Sequence, residues 1–245
     1  MNYFPPYHYV VYDGKSLADF GVYVSGEGTF SSPEREYETV EILGRSGDLH
    51  IDKKRYLNVE VTYPSFILED LRENITELRG FLLGTAGYRR LEDTYHPDEY
   101  RLADFKGPIE VSDVLWLDSG RFDLTFDCKP QRYLKSGEQP IEITEHRFLY
   151  NPTSFVAKPL IRVYGSGELG VGSETVTIAE HEYEYLDIDC DIMDCYYKTE
   201  YAYYNLNSLV TFNSQNFPSI PPESCGVNLG TGISKVIIWP RWWRL

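Results

Sequence analysis

The run RFDLTFDCKPQRYLKSGEQP spans Arg121 to Pro140. Its first half alternates, with Phe122, Leu124, Phe126 and Cys128 on one face and Asp123, Thr125 and Asp127 on the other. A period of two marks a half-buried β-strand. Pro130 lacks a ladder donor, and Gly137 and Pro140 stand in a polar run that cannot continue a central strand. A strand therefore ends here, near the middle of the chain. The segment reads as a seam: a first domain over residues 1–135, a connector over 136–156 and a second domain over 157–245.

Upstream of the seam, residues 7–24 read as strand, turn, strand, with Asp13-Gly14 as the turn. Residues 34–63 read as a hairpin pair, broken at Gly44-Arg-Ser-Gly-Asp48, where the two glycines suit positive φ. Residues 66–83 read as a helix. Leu71, Ile75, Leu78 and Leu82 step by four, three and four, Ile67 extends the stripe backward, Ser65 is the expected N-cap, and Gly84 the residue that ends it. An amphipathic helix in a β region is expected to lie against a sheet. Residues 88–127 return to strands, with Tyr100–Phe105, Ile109–Val111 and Val114–Trp116 as candidates. His96, near Asp93, Asp98 and Glu99, matches no standard metal-ligand spacing.

Beyond the seam, short strands are expected at Leu160–Tyr164, Thr175–Ile178, Tyr183–Ile192, Leu209–Phe212 and Val236–Trp239, a spacing that favours a β-sandwich. Gly165-Ser-Gly167-Glu-Leu-Gly170 has the letters of a dinucleotide fingerprint. That fingerprint needs a helix to begin at the motif, and an alternating strand follows instead, so a glycine-rich hairpin loop is expected. Asp187, Asp189 and Asp191 alternate with Ile188, Cys190 and Ile192, which places the carboxylates on the solvent side. Counted from Asp187, the sixth and twelfth positions hold Ile192 and Lys198, which excludes an EF-hand loop. Cys190 and Cys195 lack zinc-site spacing. The terminal Trp239, Trp242 and Trp243, with Arg241 and Arg244, read as the closing edge of the sandwich; the alternative is an aromatic surface for sugar.

The totals narrow the function classes. The formal charge is −15, with 16 basic and 24 acidic residues in 1–135 and 7 and 14 in the remainder, so neither half offers the cationic footprint of a nucleic-acid binder. With 21 Tyr and 12 Phe the composition leans toward β structure. No apolar window is long enough for a membrane-spanning helix, and the first residues do not read as a signal peptide. The four cysteines, Cys128, Cys190, Cys195 and Cys225, are expected to be reduced. No G-x-S-x-G, H-E-x-x-H or P-loop occurs and no carboxylate pair is singled out, so neither an enzyme nor a cofactor or metal site is expected.

Five segments together resemble the distal tail proteins of siphophages. They are Gly44-Arg45-Ser46-Gly47, Phe81-Leu82-Leu83-Gly84, Asp93 through Tyr100-Arg101, Cys128-Lys-Pro-Gln-Arg132-Tyr133 and Phe217-Pro-Ser-Ile-Pro221. The first four follow the family's order across most of residues 1–135. The last departs from it after Pro221, where Pro222-Glu-Ser-Cys-Gly226-Val-Asn228 replaces the usual proline–glycine. The resemblance implies a mainly β protein: a β-barrel-like belt domain with one α-helix, then a galectin-like β-sandwich. It implies a structural virion protein of the tail tip, made in the host cytoplasm, whose six copies form a ring joining tail tube to baseplate around the DNA exit channel. The partners it implies are the major tail tube protein, the tail-associated lysin or hub protein, the tape measure protein and a receptor-binding protein, with no specific nucleic-acid binding and no membrane insertion. An acidic lumen would repel phosphate. Arg45, Lys53, Lys54 and Arg55 are the residues chosen for the ring contact. The competing reading is a carbohydrate- or receptor-binding adhesin module of the tail tip.

Overall fold

The structure is a computed structural model and describes residues 7–25, 31–84, 86–111, 113–115 (main chain only), 118–214 and 216–245. Trp116, the end of one expected strand, and residues 1–6 lie outside the described residues. The chain divides into two compact units, Met1–Arg132 with Leu245, and Tyr133–Arg244. It is mainly β, with one α-helix among the described residues.

The first unit holds β1 (Val10–Tyr12), β2 (Lys15–Ser16), β3 (Val22–Val24), β4 (Arg35–Val40), β5 (Leu49–Tyr56) and β6 (Val59–Ile67). Helix α1 (Leu71–Gly84) follows, then β7 (Arg89–Asp93), β8 (Glu99–Asp104), β9 (Asp113–Leu115) and β10 (Ser119–Cys128). One antiparallel sheet runs β2-β1-β7-β8-β10-β6-β3, with β9 beside β10, while among the described residues β4 and β5 pair only with each other. The alternating half of the seam is β10, and it pairs with β6 from Gly120↔Ile67 to Cys128↔Val59. Phe122, Leu124, Phe126 and Cys128 are buried, as their period of two requires. Leu71, Ile75, Leu78 and Leu82 of α1 join the same core.

The helix begins later than the stripe indicates. Val59, Val61, Tyr63, Ser65 and Ile67 are buried in strict alternation, so residues 66 and 67 finish β6 and do not start α1. Ile67 satisfies both periods, and the nine-residue ladder with β10 decides between them. Ser65 is therefore a strand residue whose hydroxyl donates to Tyr63 O at 2.8 Å, not an N-cap. Asp70 (φ 53°) precedes the first turn, and its carbonyl accepts from Asn74 N–H at 3.0 Å. Gly84 is the last helical residue, not the one after the end. Ile109–Val111 forms no strand.

Strand β11 (Arg132–Leu134) begins at the last residue of the first unit's main stretch, and the second unit continues with β12 (Ile141–Ile143), β13 (Arg147–Asn151), β14 (Leu160–Gly165), β15 (Gly167–Val171) and β16 (Glu174–Ile178). Then come β17 (Leu186–Asp189), β18 (Asp194–Lys198), β19 (Tyr203–Asn205), β20 (Val210–Phe212), β21 (Glu223–Leu229), β22 (Ile233–Trp239) and β23 (Trp243–Arg244). Two sheets, β12-β22-β14-β17-β18-β19 and β13-β21-β15-β16-β20, enclose one core. Ile161, Ile188 and Val236 enter it from the first, Leu149, Leu169 and Val227 from the second, which makes a β-sandwich. The stretch read as a connector carries β12 and β13, one strand for each sheet. Of Tyr183–Ile192 only Leu186–Asp189 is strand.

Of the G-x-G-x-x-G letters, Gly165 ends β14 while Gly167 and Gly170 lie in β15, and no helix begins there. Ser166 alone joins the two strands, which belong to different sheets, so the join crosses between sheets and is not the hairpin loop the glycines suggest. Gly165 (φ 105°) and Gly167 (φ 133°) face the β21–β22 turn, where Gly232 has φ 98°. A Cβ on Gly165 would run into Gly232 O, and one on Gly232 into Ser166 O. The β14–β15 join and the β21–β22 turn thus cross backbone against backbone, tied by Ser166 N–H donating to Gly232 O at 3.3 Å. Glycine is required here by contact as well as by φ.

Candidate assembly surface

The β4–β5 hairpin is the least supported element of the first unit. Val40 stands opposite Leu49, and Glu38 opposite Ile51, with Gly44 (φ 80°) and Gly47 (φ 85°) in the turn as their sequence indicates. Neither strand contributes a buried residue to a core. Tyr37, Val40, Ile42, Leu49 and Ile51 are exposed, and Leu43 at the tip is fully so. A lone two-stranded hairpin is marginal in water, and a cluster of exposed apolar side chains marks a contact surface.

The four cations chosen from the sequence all lie on this hairpin, but at opposite ends. Arg45 sits in the turn, its N–H donating to Ile42 O at 3.1 Å. At the base, Lys53 Nζ is 3.0 Å from Glu36 Oε1, and Arg55 pairs with the other oxygen of Glu36. These two hydrogen bonds hold the Glu36 carboxyl below its ordinary pKa. Lys54 takes φ 56°, and its N–H donates to Asp52 Oδ1 at 2.7 Å, while Arg35 reaches Asp52 Oδ2 at 2.6 Å. The cations at the base therefore stiffen the hairpin. The apolar tip, which the sequence reading passed over, is what stands open. Its signal was present in Val40, Ile42, Leu43, Leu49 and Ile51 on either side of the glycine turn.

The same unit carries an open groove of about 860 Å³ over the outer face of β6 and β10. Pro64, Phe66, Leu68 and Pro108 supply apolar wall, and Arg121 and Asp123 supply charge. Phe66 lies across from Arg121 and Pro64 from Asp123 in the β6–β10 register, so the groove follows a rigid ladder. A second opening over Glu60, Thr125 and Asp127 continues it along the same two strands.

Two of the segments that carry the family resemblance, Asp93–Arg101 and Cys128–Arg132, meet inside the first unit, away from this surface. Asp93 Oδ1 accepts the N–H groups of Tyr95 and His96 at 2.9 and 2.8 Å, and Asp93 Oδ2 accepts Tyr63 Oη at 2.8 Å. Glu99 and Arg101 are buried beside them, with Arg132 Nη1 3.8 Å from Glu99 Oε2. Burial, and then the neighbouring Arg132, lower the Arg101 pKa, and burial pushes the Cys128 thiol up to about 12. Asp93, Tyr95, Arg101, Cys128 and Arg132 thus build a buried polar joint between β7, β8 and the end of β10. Among the described residues no group of three or more ligating side chains is placed to hold a metal ion.

In the second unit the aspartate ladder departs from its expected solvent face. Asp187 and Asp189 are only 2% and 5% exposed. Arg162 Nε and Nη2 grip Asp187 at 2.8 and 2.9 Å, and Arg241 Nη1 and Nη2 grip Asp189 at 2.6 and 2.9 Å. The arginine partners lie 25 and 52 residues away, beyond the reach of a local pattern. Asp191 is exposed, near Lys158. The terminal tryptophans are packed: Trp242 is buried in the core, and Trp243 stacks on Phe155 at 4.5 Å while its Nε1–H donates to Val156 O.

No family model and no curated protein sequence matches the chain. Solved structures do. The Dit protein (gp 19.1) of phage SPP1, described as a paradigm of the hub adsorption apparatus in phages infecting Gram-positive hosts, superposes with a TM-score of 0.73. The match has 14% identity and covers 97% of this chain and 99% of that one. A chain of the phage p2 baseplate in its activated, strontium-bound conformation gives 0.50 at 11% identity, covering 95% and 97%. Identity this low speaks to architecture alone, and on architecture the chain has the fold of a phage distal tail protein.

Proposed function

We propose that this chain is a structural protein of a phage tail tip whose copies assemble into a closed ring around an axial channel. The observation that carries the reading is one unit bearing both an uncovered apolar hairpin and an open groove. The hairpin of one copy seats in the groove of the next, a heterologous contact that closes by rotation. Arg45 and the Lys53–Arg55 cluster flank that contact, the base cations facing the acidic Glu60 and Asp123 of the neighbour. Six copies, as in the ring implied by the family resemblance, join the tail tube protein to the hub and its lysin. The tape measure protein and a receptor-binding protein are the further partners, in a virion assembled in the host cytoplasm. The likeness to the SPP1 hub protein and to a p2 baseplate chain supports this placement. The charge of −15 supports a channel wall that repels DNA phosphates.

Light scattering after size exclusion, with negative-stain images of the main peak, tests the ring. Six-membered rings are the expected result, with the Leu43→Asp/Ile51→Asp variant running as a folded monomer. A wild-type chain that stays monomeric alone and with its tube and hub partners, or a variant that still closes rings, overturns the reading.

A further inference from the structure

The six-stranded sheet of the second unit ends at β19, and among the described residues no strand pairs with its outer edge. Leu206 N–H donates to Cys195 O and Thr199 N–H to Ala202 O, so the main chains of Ala202, Tyr204 and Leu206 face β18. By the alternation of an antiparallel ladder, Tyr203 and Asn205 turn their N–H and C=O groups outward. No proline and no bulge blunts this strand, which is how exposed edges are ordinarily protected.

Aromatic surface flanks the edge on both faces. Tyr203 stacks on Tyr196 at 4.9 Å on one side. On the other, Tyr204 lies 5.9 Å from Tyr183 and 6.2 Å from Tyr197. Tyr201, in the β18–β19 turn, is almost fully exposed.

The surroundings are mainly acidic, with Lys198, opposite Tyr203 on β18, the exception within residues 180–205. Asp187 and Asp189 are neutralised by Arg162 and Arg241, and Asp194 is held by Tyr203, Asn205 and Asn207. That leaves Glu180, Glu182, Glu184 and Glu200, all exposed and without an ion-pair partner among the described residues. Lys198 is the one lysine or arginine between Ala179 and Asn205. Tyrosine faces and unpaired carboxylates attract the same ligand group, a cationic side chain.

We propose that the β19 edge takes an extended, lysine- or arginine-bearing segment of a partner protein as an added strand. The outward N–H and C=O groups of Tyr203 and Asn205 supply main-chain hydrogen bonds, as in other strand additions. Tyr203 and Tyr204 each cover the side chains of one face of the incoming strand, and the four glutamates select for its charge.

The test uses the full chain and a short peptide alternating lysine and valine, with a glutamate–valine counterpart as control. Amide exchange read by NMR should slow at Tyr203 and Asn205 when the lysine peptide binds, and the control should leave both unchanged. Glu182→Gln/Glu184→Gln/Glu200→Gln should weaken binding about tenfold, since three exposed charges each contribute modestly. Asn205→Pro, which removes an outward donor, should abolish it in a chain whose circular dichroism is unchanged. No binding, binding without protection of those two amides, or equal uptake of both peptides overturns the proposal. Whether the chain forms rings bears on neither outcome.

Discussion

Asp189 shows how much one buried charge depends on one distant partner. Burial works against its carboxylate, but the hydrogen bonds and charge of Arg241, with the N–H groups of Asp191 and Ile192, outweigh that and hold its pKa below the ordinary value of 3.8. Removing the guanidinium leaves a buried charge uncompensated. Arg241→Met should therefore cost roughly 3 kcal/mol, read from the denaturant midpoint. The pH dependence follows from the direction of the shift. A carboxylate with a lower pKa in the folded state stabilises that state fully above its unfolded value, about 3.9. The contribution is lost as pH falls from there through the folded value. The wild-type chain should thus lose stability below about pH 4 more steeply than Arg241→Met, which no longer has that contribution to lose. Acid titration of the denaturant midpoint measures the difference.

The helix and the hairpin sit at opposite ends of the range of support an element can have. Leu78 of α1 is fully buried, and Leu78→Ala should destabilise the first unit by about 3 kcal/mol. Leu43 and Ile51 of the hairpin touch no core, so their replacement by aspartate should move stability by no more than about 0.5 kcal/mol while removing assembly. Chemical denaturation of both variants checks the contrast. This difference also governs what was readable from the chain. β6, β10 and α1 bury one face each, so their periods are written in the residue order, and only the join at Ile67 misled, where both periods fit. β13 and β21 were hidden because glycine, serine and asparagine interrupt them: Gly226 leaves room for the Phe148 ring, and Asn151 is a buried polar side chain spent on Phe155 O and Ile220 O. The cations of the hairpin were legible as a cluster and its apolar residues as a run around the glycine turn, but their exposure was not, because it depends on what the rest of the unit leaves uncovered.

At the scale of the molecule, two hydrophobic cores share no member, one from Val10 to Cys128 and one from Ile143 to Trp242. Calorimetry of the full chain should resolve two unfolding transitions. Gly165→Ala, which drives a methyl group into Gly232 O, should lower only one of them, by at least about 2 kcal/mol. A single transition displaced as a whole would count against that partition. The crossing of the β14–β15 join and the β21–β22 turn reaches further than this one variant. Residues in turns ordinarily drift freely between relatives, and buried ones do not. Here Gly232 lies in a turn and Gly165 and Gly167 at strand ends joined by one residue, yet each is barred from acquiring even one carbon by the carbonyl it faces. A comprehensive substitution library should therefore show an island of intolerance at the rim of the sandwich as severe as its interior, created by main chain touching main chain and blind to hydrophobicity.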